Sequence, residues 1–245
     1  MKKKLLYKNL YQPGNSDYEI YLRTNDLFAC QTDFHQLCNG DELQFQLVHQ
    51  IEELLMKLII CSLIDINESM EKCETNKVIS LFKRVHLCQI SILNTLDFLS
   101  TMSPKNYQEI RKKLGRGSGR DSPGFKIILG LFSPLWETYK TYYLEKNNMT
   151  IEQIYDYDFT HCDAYVVAEN LLEFDALFQQ FLAKHMQVIG RSIGCESKSL
   201  SGKDVRRLNN RLEKKYFPEL WKIRSDMTDR WGKEHGYVRD QINEG

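Results

Sequence analysis

Glycine and proline are scarce, 13 and 5 among 245 residues. They gather mainly at 115–124 and in isolated turns, so the stretches between are free to run as long helices. Apolar residues recur there at helical spacing. From Asp41 to about Ile66, the residues Leu43, Leu47, Ile51, Leu54, Leu58 and Leu63 are spaced for one buried stripe. From about Asn76 to Ser100, Val78, Phe82, Val85, Cys88, Leu93, Leu96 and Leu99 repeat the pattern. Ser103-Pro104 reads as an N-cap followed by proline at the first helical position, opening a short helix to about Leu114. The run Gly115-Arg116-Gly117-Ser118-Gly119-Arg120-Asp121-Ser122-Pro123-Gly124 is the one clear loop. Further helices are expected from about Phe125 to Glu145, from about Asp163 to Ile193, near Gly202 and near Pro218. Asn147-Asn148 breaks the first of these, and Thr150-Ile151-Glu152-Gln153 matches a capping box. No alternation of period two lasts long enough for a strand. The fold class is therefore all-α, a single-domain helical bundle over 1–245.

Composition excludes several functions. Lys plus Arg and Asp plus Glu both number 33, so no global field draws the chain to nucleic acid. The basic run Lys203, Arg206, Arg207, Arg211, Lys214, Lys215 reads as a solvated helix face. The apolar stretch from Leu54 to Ile64 is interrupted by Lys57 and too short to span a bilayer. Lys2-Lys3-Lys4 leads into only Leu5-Leu6, far short of a signal sequence. Seven cysteines without a C-x-x-C pair argue against a disulfide framework and a structural zinc site. Reduced thiols in the cytoplasm are the expectation.

Several ordered segments carry candidate chemistry. His185 lies in Phe181-Leu182-Ala183-Lys184-His185-Met186-Gln187-Val188-Ile189-Gly190, followed by Ser192-Ile193-Gly194. Tyr216-Phe217-Pro218-Glu219-Leu220-Trp221-Lys222-Ile223-Arg224 comes later. Taken alone, a helix histidine is more often packed or solvated than a ligand. Thr101-Met102-Ser103-Pro104-Lys105-Asn106-Tyr107-Gln108-Glu109-Ile110-Arg111 places Tyr107 and Arg111 four apart on one helix face. A guanidinium offers two parallel charge-assisted bonds to a carboxylate. The segments Tyr18-Glu19-Ile20-Tyr21-Leu22-Arg23-Thr24-Asn25-Asp26-Leu27 and Asp41-Glu42-Leu43-Gln44-Phe45-Gln46-Leu47-Val48-His49-Gln50, with Glu53-Leu54, complete the set.

In this order, from Tyr18 to Arg224, the segments resemble the tryptophan 2,3-dioxygenase superfamily, the histidine-ligated haem-dependent aromatic oxygenases. The resemblance implies the tryptophan/indoleamine dioxygenase fold, haem b as cofactor and His185 as the proximal ligand to its iron. It implies Arg111 on the carboxylate of an amino-acid-like substrate, with Tyr107 closing the pocket, and Tyr18, Tyr21 and Phe45 completing the substrate-binding set. Residues 1–40 would form an arm that brings Tyr18 to a neighbouring subunit, in a homo-oligomer, dimer or tetramer. His49 reads as a hydrogen-bonded core histidine rather than a ligand.

The departures are as informative. The family's distal histidine, which precedes Asp-Glu, is Gly40 here, so its hydrogen bond and its base are missing. The glycine-rich substrate loop is replaced by Lys198-Ser199-Leu200-Ser201-Gly202-Lys203; Ser199 still offers a hydroxyl to an ammonium or bound oxygen and is the catalytic candidate. Leu96 stands where a tryptophan is usual near the haem. The Ser-Gly-Phe-Gln-Ser segment has become the longer Gly115–Gly124 loop. That loop either packs over the haem edge, with Ser118, Arg116 or Arg120 pairing with a propionate or substrate, or is a plain surface loop. The expectation is a cytoplasmic haem-dependent oxidoreductase of secondary metabolism. It would hydroxylate or dioxygenate an aromatic amino acid or indole-type substrate with O2 or peroxide, without nucleic-acid or membrane partners. Two alternatives stay open. One oxidises a non-aromatic amino acid such as arginine, with Asp41 or Glu42 on the cationic side chain. The other is a non-catalytic haem-binding scaffold or sensor.

Overall fold

The computed structural model describes residues 16–156, 162–194 and 214–236, and every regular element in them is helical. Two short helices, α1 (Asp17–Leu22) and α2 (Thr24–Ala29), form an arm. The body consists of α3 (Glu42–Glu71), α4 (Thr75–Leu99), α5 (Pro104–Leu114), α6 (Pro123–Tyr139), α7 (Ile151–Tyr155), α8 (Asp163–Ile193) and α9 (Pro218–His235).

Local chemistry sets several boundaries. Pro104 opens α5 as expected. The Ser103 hydroxyl makes no cap bond; its backbone N–H instead donates to Asp41 Oδ2 at 3.0 Å. The Thr150 capping box forms in both directions with Gln153. After α6 the chain takes one π-helical turn (Lys140–Leu144) and one 3-10 turn (Glu145–Asn147), then stops at Asn148 with φ 53, a left-handed conformation that asparagine tolerates. The 115–124 loop is shorter than its composition suggests. Gly119–Asp121 forms a 3-10 turn capped by Ser118, and α6 already begins at Pro123. The helix expected near Gly202 lies outside the described residues.

α3 and α4 pair antiparallel, α8 packs on α4, and α6 packs on α3. The large core is rich in aromatic rings: Phe132 meets Phe174, Phe178, Tyr216 and Phe217, the nearest with centroids 4.3 Å apart. A smaller core at the other end joins Val48, Leu96, Leu99, Met102, Ile110 and Val188, with Phe45 and Tyr107 against it. Phe181 touches both.

Two polar fastenings hold the carboxy-terminal part. Asp175, fully buried on α8, accepts from Tyr216 N (2.9 Å), Phe217 N (3.1 Å) and Trp221 Nε1 (2.9 Å) on one oxygen, and from Gln179 Nε2 on the other. A buried carboxylate survives only with such company. Glu169, also on α8, takes Arg224 Nη2 at 2.6 Å and the Tyr155 hydroxyl, while the Arg224 guanidinium lies 5.1 Å over the Tyr155 ring.

One expectation is overturned. Most of the expected stripe on α3 does not face inward: Leu47, Ile51, Leu54 and Leu58 are exposed and Leu43 is half-buried, while Leu63 is buried as expected, on a face shared with Val48, Glu52, Met56, Ile59 and Ile66. Two stripes share the helix, and the inner one includes Glu52 and Ser62, which disguise it. The stripe on α4 faces inward as expected, with Leu93 only half-buried. Of the basic run, Lys214 and Lys215 are described; both are exposed, outside any helix. Lys214 lies 5.0 Å over the Tyr216 ring and Lys215 4.3 Å over Trp221, so both cations are engaged with aromatic faces. No helix among the described residues is long and apolar enough to cross a membrane, and no group of His, Cys, Asp and Glu among them could hold a metal by itself.

Candidate functional site

α8 carries His185 near its carboxy-terminal end. One turn earlier Phe181 lies parallel to it, centroids 5.8 Å apart and planes 1° apart. The protein around the imidazole pushes its pKa down to about 4, first by desolvation and second through the neighbouring His49. The ring is therefore neutral at pH 7 and keeps a lone pair on one nitrogen. No hydrogen bond from the described residues contributes to that shift.

His49 approaches from α3. Its Nδ1 lies 2.7 Å from the Phe45 carbonyl oxygen. A carbonyl can only accept, which assigns the proton to Nδ1. Burial lowers the His49 pKa, against the carbonyl bond and the Glu53 charge, which raise it. The His49 ring tilts onto Phe45 with centroids 4.2 Å apart, and Phe45 lies 6.1 Å from Tyr107 on α5. Burial raises the Tyr107 pKa, partly offset by Arg111 one turn later. Arg111 is half-buried, with Nη1 3.4 Å from Gln108 Oε1. The structure thus brings His185, His49, Phe45, Tyr107 and Arg111 to one end of the bundle, beside the small core that contains Leu96.

α5 is pinned there by the turn before α3. Asp41 Oδ2 accepts from Ser103 N and from Asn106 Nδ2 at 2.9 Å, and Asn39 Nδ2 donates to Glu109 Oε2 at 3.0 Å. Glu42 takes Lys113 Nζ at 3.0 Å and Cys38 N at 2.5 Å. Both carboxylates considered for a cationic substrate make bonds that hold the fold here. Gly40, in the same turn, has open space where a Cβ would point.

The remaining candidates separate. Tyr18 and Tyr21 stand exposed on α1, whose arm is tied to α3 through Gln31 Nε2–Gln50 Oε1 (2.7 Å) and Thr32 N–Gln46 Oε1 (2.9 Å). Arg116 is exposed. Ser118 is spent on its own turn, its N–H and hydroxyl donating to Asp121 Oδ2 at 3.0 and 3.3 Å. The Arg120 side chain and all of Ser199 lie outside the described residues. Sequence reasoning did not single out two neighbours of His185. Phe181 was available from its spacing of four. Gly119 was not: a Cβ there would sit 3.3 Å from His185 Cε1 and 3.6 Å from Nε2, a contact between distant segments with no local signature.

That contact tests the haem expectation. The donor fits: a neutral imidazole, desolvated and set against an aromatic ring, is an iron ligand of the ordinary kind. Gly119 lies at the Cε1–Nε2 edge of the imidazole, where only hydrogen stands in place of a side chain.

The sequence profile of the tryptophan 2,3-dioxygenase family matches residues 8–154. The chain is 26% identical over 267 residues to the tryptophan 2,3-dioxygenase of Bacillus thuringiensis subsp. konkukian, covering 87% of this chain and 93% of that protein. It is 26% identical over 264 residues to that of Myxococcus xanthus, covering 88% and 91%. It is 25% identical over 260 residues to that of Serratia proteamaculans, covering 86% and 92%. The chain belongs to the tryptophan 2,3-dioxygenase family, a divergent member of a group of haem-dependent oxidoreductases whose cofactor is haem b.

Proposed function

We propose that the chain oxidises an aromatic amino acid or an indole-type substrate, with O2 or peroxide as the oxygen source. Haem, when bound, supplies the oxidising chemistry, and the chain's own residues bind and orient. The neutral state of His185 in its desolvated setting carries the reading, since it leaves a ring nitrogen able to donate an electron pair at physiological pH. Arg111 holds the substrate carboxylate, and Tyr107, one turn away, closes over it. Phe45 offers an aromatic face to the substrate side chain. The open space at Gly40 leaves that side of the pocket without a base, which supports insertion of one oxygen atom, a hydroxylation, over the dioxygenation of the named relatives.

Absorption spectra test this. The wild-type chain given haem should show a Soret band of a histidine-ligated species, and His185→Ala should lose it. Titration with tryptophan, tyrosine and indole should shift the band for a substrate. Arg111→Met should weaken the shift for the amino acids and spare it for indole, which has no carboxylate. An unchanged axial-ligand spectrum in His185→Ala would refute the assignment.

A further inference from the structure

Between α3, α4, α6 and α8 the large core leaves a cavity of about 20 Å³, more than the roughly 10–15 Å³ that one water-sized occupant needs. Its wall is apolar. Met56 from α3, Ile92 from α4, Ile128 from α6 and the rings of Phe125, Phe178 and Phe181 are among its residues. Gln89 is the one polar side chain there among the described residues. It is buried and donates from Nε2 to the Phe174 carbonyl oxygen at 2.9 Å. Its Oε1 has no hydrogen-bond partner among the described residues. Phe181 differs from the rest of the wall: the others are buried, and it is half-buried. The same ring lies parallel to His185 with centroids 5.8 Å apart. One aromatic side chain therefore separates the cavity from the imidazole.

We propose that this cavity is a docking site for molecular oxygen, one side chain away from the candidate haem ligand. Size is the first argument. A molecule of two heavy atoms fits, and an indole or an amino acid does not. Arg111, Tyr107 and Phe45 are absent from the wall, so the site is separate from the one proposed for the substrate. Polarity is the second. A buried water makes about 2–4 hydrogen bonds, and this wall offers a single unused acceptor, Gln89 Oε1. Hydrogen peroxide has two O–H donors and several lone pairs, and it would give up more hydration than the wall returns. O2 has no hydrogen to donate, gives up almost nothing polar, and prefers apolar surroundings to water. Position is the third, because a store beside His185 raises the local concentration of a sparingly soluble gas. In its physiological sense the inference rests on the proposed oxidation, for which it selects O2 over peroxide.

The test reads binding of the gas rather than turnover, so its failure leaves the haem assignment standing. The full chain, labelled on Met and Ile methyl groups, is compared by NMR under O2 and under N2 at the same pressure. O2 is paramagnetic and speeds the relaxation of nuclei it visits. The methyl groups of Met56, Ile92 and Ile128 should show a relaxation enhancement severalfold larger than those of Met102, Ile154 and Ile223, which are buried elsewhere. Ile128→Phe places a ring in the cavity and should abolish the excess at Met56 and Ile92, with helical circular dichroism unchanged. If the added ring disturbs folding, the comparison among the six methyl groups of the wild-type chain decides alone. Equal enhancement at all six overturns the proposal. So does an excess that survives in a folded Ile128→Phe. A cross-peak from water to the Met56 methyl without an O2 effect also overturns it, giving the cavity to a water on Gln89.

Discussion

The ring of His185 rests against Gly119, with Cε1 and Nε2 3.3 and 3.6 Å from where a Cβ would project. Hydrogen at that position is what keeps the contact ordinary. In Gly119→Val the branched side chain meets the imidazole edge, and overpacking of this kind costs about 1–3 kcal/mol. Haem uptake should weaken by about tenfold or more, with helicity retained because the segment is exposed. Haem titration followed at the Soret band checks this. Hydrogen exchange should separately show the 115–122 amides changing protection on haem loading.

His185 should titrate near pH 4 rather than 6.5 in the haem-free chain. Its folded pKa lies below the unfolded value, so the unfolded chain binds more protons between the two. The contribution to stability is full above about pH 6.5 and is lost as pH falls toward 4. The Cε1–H chemical shift followed from pH 7 to 4 reports it. A midpoint near 6.5 would mean that the ring is solvated and the pocket open.

Glu52 behaves in the opposite sense. Burial raises its pKa to about 7, against the Thr95 hydroxyl, which lowers it, with Glu53 adding a further rise. The folded chain holds the proton, so the contribution is full below about pH 4.5 and disappears as pH rises through 7. Glu52→Gln should stabilise the chain at pH 8 by up to about 3 kcal/mol and have little effect at pH 4.5. Urea denaturation at the two pH values makes the comparison.

Asp175→Ala should be among the most damaging single changes. It strips the acceptor from Tyr216 N, Phe217 N and Trp221 Nε1 together. Unpaired buried donors and a lost charge-assisted network cost about 3–5 kcal/mol. Urea unfolding monitored by tryptophan fluorescence should show the unfolding free energy fall by that amount.

The helix plan was legible wherever a boundary has its own chemistry. Pro104 opens α5, Thr150 and Gln153 form their box, and Asn148 ends the preceding turn. Orientation was not legible on α3. Its purest apolar stripe faces out, and the buried face carries Glu52 and Ser62, whose burial depends on neighbours from other helices. In the site, Tyr107 and Arg111 declare their shared face by spacing. His185 stands out through its surrounding motif, since nothing in a solitary histidine's local pattern separates ligand from core. The approach of Gly119 and His49 to that ring is tertiary, and no window of sequence contains it.

α8 is one uninterrupted rod of 31 residues. Asp163 bonds Thr75 at its start, Glu169 clasps Arg224, Asp175 gathers the 216–221 turn, and His185 follows ten residues on. Every one of these groups is indexed to a single screw axis. Inserting one residue between Asp175 and His185 would rotate the imidazole by about 100° relative to the anchors and turn it out of its setting. Such a chain can be lengthened there only in near-whole turns, which makes this stretch the least editable ruler in the molecule.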